Sequence, residues 1–554
     1  MENRRSARTR ESLRKSAFTA MEISMKKYVR FISGMARYFK SRIDTREALH
    51  RAKQLLAERI TSRNENFLHL LEKGIFANPK SPYRILLDAR RITFDEIRKQ
   101  TERNGIEAAC TWLLDEGVYF TVDEFKGKKA VQRPGIRFTC TENMFDNPFL
   151  SSTYEVRSGA TRSAGTRIRI DFDYLRQRAL YDAFLLDAHG VLDAPLANWF
   201  PLFPGAPGIN SSLRFSFIGN PPRRWFSQVA KAQVKVNWEK KLGTDLIFFM
   251  AGLYRVPLAR PEYADLNHAH TVAQWAAEMV QEYGACVVYT FATSAVRVCM
   301  AAQENNWNIR GTRFLVTGEP LTAQKKREIE SVGGTAIPVY GISEAGVIAA
   351  GGTKEYPQSD HCYLYKDTTA IITHSIEVAH SGIVVPSFLF TTLLYESPKL
   401  LLNVGMGDYG TLYTKADESE FGKIGFDTHV SDIRSYEKLT GEGVTFVDSD
   451  FITILEKELP ERFGGQSTDY QLVEEEDIKG IMHLKLLVSP RLGDVDEKQI
   501  ADSFLHLLKT AQQSPESWAQ SGTEMWNQAR TLRVVRSFPV PTRSGKILPF
   551  HIEK

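Results

Sequence analysis

The stretch TVAQWAAEMVQEYGACVVYT, residues 271–290, carries the reading on which the fold rests. Val272, Trp275, Ala276, Met279, Val280 and Tyr283 recur at helical spacing and form one apolar stripe, which stops at Gly284, a residue suited to the left-handed cap that ends helices. Cys286–Thr290 follows as a short apolar run with the character of a buried strand. The cycle repeats downstream: Ser294 is placed to cap the next helix, Phe314–Val316 reads as a strand, Thr322–Val332 as a helix closed by Gly333 and Gly334, and Ala336–Tyr340 as a strand again. Helices alternating with short apolar strands imply an α/β fold with a largely parallel sheet, with ligands gathering at the strand ends.

Outward from this core the chain runs to 554 residues, too long for a single core, so a large domain and at least one smaller one are expected. Residues 1–150 read as mostly helical and irregular, with Leu49, Ala52, Leu56 and Ile60 on one helical face. After the charged stretch His429–Gly443 the pattern becomes helix (Phe451, Ile454, Leu455, Leu459), strand (Leu484–Val488), helix (Ile500, Phe504, Leu507, Leu508) and strand (Leu532–Val535). The expected division is a basic helical extension over 1–60, a large domain over 61–430 and a small, mobile α+β domain over 431–554.

Composition narrows the function class. The hydrophobic fraction is 43% and the charged fraction 25%, ordinary values for a water-exposed globular chain. No window approaches the roughly 20 apolar residues of a membrane-spanning helix, and the basic first turns lack the apolar core of a secretory signal; the cytoplasm is the default expectation. Five scattered cysteines fit neither a disulfide framework nor a zinc site, and His268 and His270 have no cysteine or carboxylate company with which to bind zinc. A net charge of +5 does not call for nucleic acid. The early positive charge, beside the stripe Tyr28, Ile32, Met35 and Phe39, leaves three roles open: packing on the chain's own body, meeting a membrane surface, or meeting an acidic partner.

Five short segments have the composition of a nucleotide site. RSGATRSAGTR (157–167) offers backbone N–H groups, hydroxyls and arginines to a polyphosphate. TGEP (317–320), YGISEAG (340–346) and GMGDYG (405–410) each set a carboxylate or an aromatic beside glycines at an expected strand end, where a base could stack, Asp408 accept ribose hydroxyls and Glu344 hold Mg²⁺. PTRSGKI (541–547) brings a lysine on the C-terminal unit, a point charge for a carboxylate and an α-phosphate.

The order of the five resembles the acyl-CoA synthetase, adenylation-domain and luciferase (ANL) superfamily, and within it the phenylacetate-CoA ligase-like branch. The resemblance spans roughly residues 65–554 and implies a large domain of mixed and parallel sheets flanked by helices, with a small swivelling C-terminal domain. It implies that Ser158, Gly159, Ala160, Thr161 and Arg162 bind the ATP phosphates, that Gly318, Glu319 and Pro320 line the adenine pocket, and that Tyr340 and Gly341 stack on adenine and approach the substrate. Ser343 and Glu344 would meet the α-phosphate and Mg²⁺, Asp408 the ribose, and Lys546 the adenylation step; Arg434 would be the hinge-region arginine, with Tyr436 or Glu437 at the pivot. The sequence departs from the pattern where Arg162 replaces the second loop glycine and where Asn403 takes the place of the first arginine of an RYRTGD-like segment.

The resemblance further implies ATP, Mg²⁺ and CoA as cofactors and a small carboxylic acid as substrate, bound near Trp199, Phe200, Phe203, Tyr289 and Phe291. An acyl or peptidyl carrier protein, a protein cysteine or an amine stands as the alternative acceptor, a non-catalytic binding protein as the alternative class, and homodimer formation stays open.

Overall fold

The computed structural model describes residues 28–151, 153–157, 166–202, 207–229, 238–377, 384–435, 438–441, 444–447, 454–466, 469–479, 481–510, 526, 531–540 and 550–552. Its centre is a 12-stranded sheet. In chain order the strands are β1 (Leu196–Trp199), β2 (Arg224–Ser227), β3 (Pro261–Tyr263), β4 (Cys286–Phe291), β5 (Thr312–Thr317), β6 (Thr335–Ile342), β7 (Gly346–Ala350), β8 (Cys362–Leu364), β9 (Thr369–Glu377), β10 (Val384–Thr392), β11 (Val404–Thr414) and β12 (Thr428–Ser435). Across the sheet they lie in the order β9-β10-β11-β12-β8-β7-β6-β5-β4-β1-β2-β3.

The sheet has two halves. β1 to β6 pair in parallel, with a helix in each crossover, and their order 3-2-1-4-5-6 is that of a doubly wound sheet, which opens a ligand crevice between the carboxyl ends of β1 and β4. β7 to β12 pair antiparallel. The join is β6 itself: Thr335–Pro338 pair with β5, while Val339–Ile342 pair with β7, with a register shift between Tyr340 and Gly341.

The expected stripe is found in the helix Ala269–Tyr283, which buries Val272, Trp275, Ala276 and Val280 and ends at Gly284 with φ +79°. Tyr283 leaves the stripe, lying exposed under the Arg223 guanidinium. Ser294 is not a cap: the helix starts at Ala292 directly from β4, and the Ser294 hydroxyl, buried inside it, accepts from Gln228. Residues 28–40 are helical, and Phe31, Met35, Tyr38 and Phe39 enter the main core, while Tyr28 and Ile32 stay exposed. The helices between residues 63 and 115 build a second core against the antiparallel half.

The C-terminal unit is a separate 4-stranded sheet, β13 (Tyr470–Glu476), β14 (Met482–Val488), β15 (Leu532–Arg536) and β16 (Phe550–Ile552), in the order β15-β14-β13-β16. The helix Glu497–Thr510 buries Ile500, Phe504, Leu507 and Leu508. The chain is therefore α/β, a large domain of mixed sheet flanked by helices with a small α+β C-terminal domain. All five cysteines are free and buried, and among the described residues no helix is long and apolar enough to cross a membrane.

Between β6 and β7 the chain turns through Ser343, Glu344 and Ala345 and closes at Gly346 with φ +86°, a conformation that costs a residue with a Cβ about 1–2 kcal/mol. A Cβ on Gly346 would also stand 1.5 Å from the Tyr174 hydroxyl, whereas one on Gly284 meets nothing within 4 Å. Gly346→Ala is therefore expected to lower the urea midpoint several-fold more than Gly284→Ala; equal shifts would show that the turn does not depend on that close approach.

Candidate functional site

Two of the expected segments, TGEP and YGISEAG, stand at the carboxyl ends of the parallel strands β5 and β6, whereas GMGDYG, expected at a strand end, runs inside β11 of the antiparallel half. β5 ends at Thr317, beside Phe291 at the end of β4, and runs into Gly318, Glu319 and Pro320. Gly318 has φ +79°, and a Cβ there would stand 2.9 Å from the Phe291 ring, so the turn lies directly on that aromatic. Next in the sheet, β6 ends through Tyr340 and Gly341. A Cβ on Gly341 would meet the Gly346 carbonyl oxygen at 2.8 Å, which ties glycine to the bulge.

Asp408 joins them from the antiparallel half. Its Oδ2 accepts the Tyr340 hydroxyl at 2.9 Å. Along the sheet, β11 is four strands from β6, and steps of about 4.8 Å would set the two roughly 19 Å apart if the sheet were flat. The contact therefore requires the antiparallel half to curl back over the end of β6. Burial, reinforced by the Asp408 carboxylate, raises the Tyr340 hydroxyl well above the usual phenol range, so it remains a donor at ordinary pH.

Other expected residues take positions that the sequence did not reveal. The Glu319 backbone is part of the turn, but its side chain points inward: one oxygen accepts from Thr293 and, at 3.1 Å, from Lys325, and the other has no partner among the described residues. Both members of the Lys325–Glu319 pair are essentially inaccessible, so Glu319 locks the turn from inside. Glu344 is buried to 7% exposure at the tip of the β6–β7 turn, while Ser343 beside it is exposed. The Glu344 carbonyl accepts from the Lys399 N–H, and Lys399 Nζ binds Asp146 at 2.6 Å. Asp146 also takes Arg167, which sequence composition had offered to the polyphosphate.

Arg434 lies on β12 opposite Tyr409, one position from the Asp408–Ser435 pair. Its guanidinium donates to Asp360 at 3.0 Å, and Asp360 also accepts the Asp432 and Ile433 N–H groups, so one buried carboxylate clamps the end of β12. Asn403 has φ +52° and donates from Nδ2 to the Cys110 carbonyl at 2.7 Å, fastening β11 to the N-terminal helices. Asparagine tolerates that backbone and supplies a short donor, which accounts for its standing where the resembling pattern has arginine.

Trp199 and Phe200 are wholly buried and Tyr289 and Phe291 nearly so. Phe200 meets both Tyr289 and Phe291 edge-on, each at 5.0 Å, so the three rings form one packed cluster at the ends of β1 and β4. Ser158, Gly159, Ala160, Thr161, Arg162, Phe203, Tyr436, Glu437, Phe451 and Lys546 lie outside the described residues. The hairpin Thr153–Arg157 with Arg167–Asp171 does bracket the Ser/Thr/Gly loop, its last pair being Arg157 with Arg167. Among the described residues no three His, Cys, Asp or Glu side chains form a metal-binding group, and His268 is paired with Asp265 at 2.7 Å. Lys325, Thr293, Asp360 and Tyr174 were missed; a lysine three residues after a helix cap reads as solvated, and only Gly346 hinted at a close neighbour.

Removing one member of a buried ion pair strands the other, at a cost of about 3–5 kcal/mol. Lys325→Met should therefore lower the denaturation midpoint strongly and Lys325→Met with Glu319→Gln much less; equal losses in the single and double variants would show that the charge on Glu319 is not what the pair neutralises.

No protein-family model matches the chain, and no curated protein matches it in sequence. Among solved structures it is similar to a 2-hydroxyisobutyryl-CoA ligase in complex with 2-HIB-AMP and CoA, at 13% identity and TM-score 0.49 over 90% of each chain. It is also similar to a malonyl-CoA ligase with methylmalonyl-CoA and AMP bound, at 10% identity and TM-score 0.37 over 78% of this chain and 88% of the other. A third likeness is to the amide bond synthetase McbA from Marinactinospora thermotolerans, at 12% identity and TM-score 0.34 over 72% and 67%.

Proposed function

We propose that the chain is a divergent adenylate-forming ligase, which activates a carboxylic acid with ATP as an acyl-AMP and passes the acyl group to CoA. The observation that carries the reading is the Tyr340–Asp408 hydrogen bond, which sets an aromatic and a carboxylate from distant segments at one mouth, beside the Gly318–Pro320 turn. The five-segment sequence resemblance supports the same reading.

In this reading adenine lies against Tyr340 and the Gly318–Pro320 backbone, and Asp408 accepts the ribose hydroxyls through charge-assisted hydrogen bonds. The acid carboxylate attacks the α-phosphorus, forming the P–O bond to the acyl group as the bond to pyrophosphate breaks. Lys546 and the N–H groups of the 158–162 loop supply positive charge where negative charge develops. A lone carboxylate beside a polyphosphate suits Mg²⁺, which takes one or two carboxylates together with phosphate oxygens and water; Glu344 would hold it, and the ion would neutralise phosphate charge. In this reading the site at the ends of β1 and β4 keeps water from the easily hydrolysed acyl-AMP.

Acid-dependent exchange of pyrophosphate into ATP, measured over a broad acid library, tests this directly. At least one acid should give exchange, and adding CoA should convert that acid to its thioester. Lys546→Ala should abolish exchange, and background exchange with every acid would overturn the reading. A hydrogen bond to a charged group contributes about 1.5–3 kcal/mol, so Asp408→Ala should lower kcat/KM for ATP roughly 10- to 150-fold. Tyr340→Phe keeps the ring and loses only the tie to Asp408, so its loss should be smaller, about tenfold; a larger loss than that of Asp408→Ala would contradict the assigned division of roles.

A further inference from the structure

Beside the aromatic cluster of Phe200, Tyr289 and Phe291 lies a polar layer that the reaction as described does not use. The helix Pro207–Phe217 is interior, with every residue from Ser211 to Phe217 buried. Within it, Arg214 Nε donates to Asp182 Oδ2 at 2.5 Å, and Asp182 comes from the equally interior face of the helix Phe172–Ala188. Two charged heads in such a layer would be expected to be sealed, yet their side chains keep 9% and 11% of their accessible surface.

Three further groups, Tyr289, Tyr174 and Arg178, interact electrostatically with this pair or with one another. The Tyr289 hydroxyl feels the Arg214 charge: burial raises it above the usual phenol range while the guanidinium opposes that rise. Tyr174 reaches from the Phe172–Ala188 helix to the back of the Glu344 turn, its hydroxyl 3.5 Å from the Ala345 carbonyl oxygen. One turn on from Tyr174, Arg178 is 2% exposed, lies over the Tyr181 and Tyr365 rings, and leaves Nε and Nη1 with no hydrogen-bond partner among the described residues. The Asp367 carboxylate takes the Tyr181 hydroxyl on Oδ2 and feels the Arg178 charge, yet its Oδ1 makes no hydrogen bond to Arg178 or to any other described residue. Buried N–H donors without an acceptor cost about 1–3 kcal/mol each, a cost that an apolar occupant would leave in place and an oxygen acceptor would relieve.

We infer that the acid activated by this chain carries an oxygen acceptor at the end remote from its carboxylate, a hydroxyl, carbonyl or second carboxylate, which Arg214, Arg178 and Tyr289 receive. The inference rests on the acid-activation reading above and names its substrate class. The reacting carboxylate sits toward Glu344 and Tyr340, the body of the acid passes Phe200 and Phe291, and the remote oxygen reaches the polar layer. An unsubstituted alkyl or aryl acid fits the aromatic walls but leaves the donors unmet.

Pyrophosphate exchange with matched acids tests it: hexanoate against 6-hydroxyhexanoate and adipate, and phenylacetate against 4-hydroxyphenylacetate. Sites that hydrogen-bond a substrate group reject the analogue lacking it by large factors, so a preference of at least about 100-fold in kcat/KM is expected for the polar member of a pair. Tyr289→Phe, which keeps the ring packing, and Arg214→Lys, checked for folding by thermal melting, should each lower that preference about tenfold or more. Equal or better exchange with the unsubstituted acids overturns the inference and leaves acid activation standing. A preference unchanged in both folded variants overturns the assignment to this layer, and silence with every acid overturns the proposed function and this inference together.

Discussion

The constraint on which the rest depends is that one strand serves both halves of the sheet. Thr335–Pro338 is committed to the parallel half and Val339–Ile342 to the antiparallel half, so the strand must leave one hydrogen-bonding direction and enter another within two residues. Pro338, which has no N–H, stands at the change, its carbonyl taken by Gly351. The bulge at Tyr340 and Gly341 then aims the aromatic ring across the mouth. Bulges re-aim side chains in this way beside functional sites. Without the change of partner the two halves would be separate layers, and Asp408 would have no route to Tyr340.

Around that strand the polar groups hold loops to helices. Glu319 uses its charge on Thr293 and Lys325, Asp360 gathers the end of β12, and Lys399 fixes the region behind Glu344. Each is a buried or nearly buried group whose partner lies on another element, so each works as a brace whose removal leaves an uncompensated charge. This makes the mouth a braced shape in which backbone, the Tyr340 ring and the Asp408 carboxylate come together.

How much of this could be read from sequence depends on whether the signal was local. The 3.6-residue stripe Val272–Val280 and its Gly284 stop are local, and they gave the parallel half and the place of its ligand crevice. Ser294 misled because a capping residue and a buried helical serine look alike when a strand runs straight into a helix. The strand β13 was missed because YQLVEEE ends in three glutamates, although its first four residues are buried. TGEP and YGISEAG were legible as strand-end turns, but GMGDYG, read the same way, lies inside β11; nor could the sequence show the inward turn of Glu319, which is set by Lys325 and Thr293, or the curl that brings Asp408 home, which is a property of the whole sheet. Asn403 could be seen as a departure; only its positive φ and its bond to Cys110 explain it.

The central claim is that the curled end of β6 forms a nucleotide mouth. The most direct measurement is a crystal structure of the full chain grown with AMP and Mg²⁺. The account predicts adenosine at the end of β6, its ribose hydroxyls on Asp408 and its base beside Tyr340 and the Gly318–Pro320 turn. AMP bound elsewhere on the chain, with Tyr340 and Asp408 untouched, would contradict it.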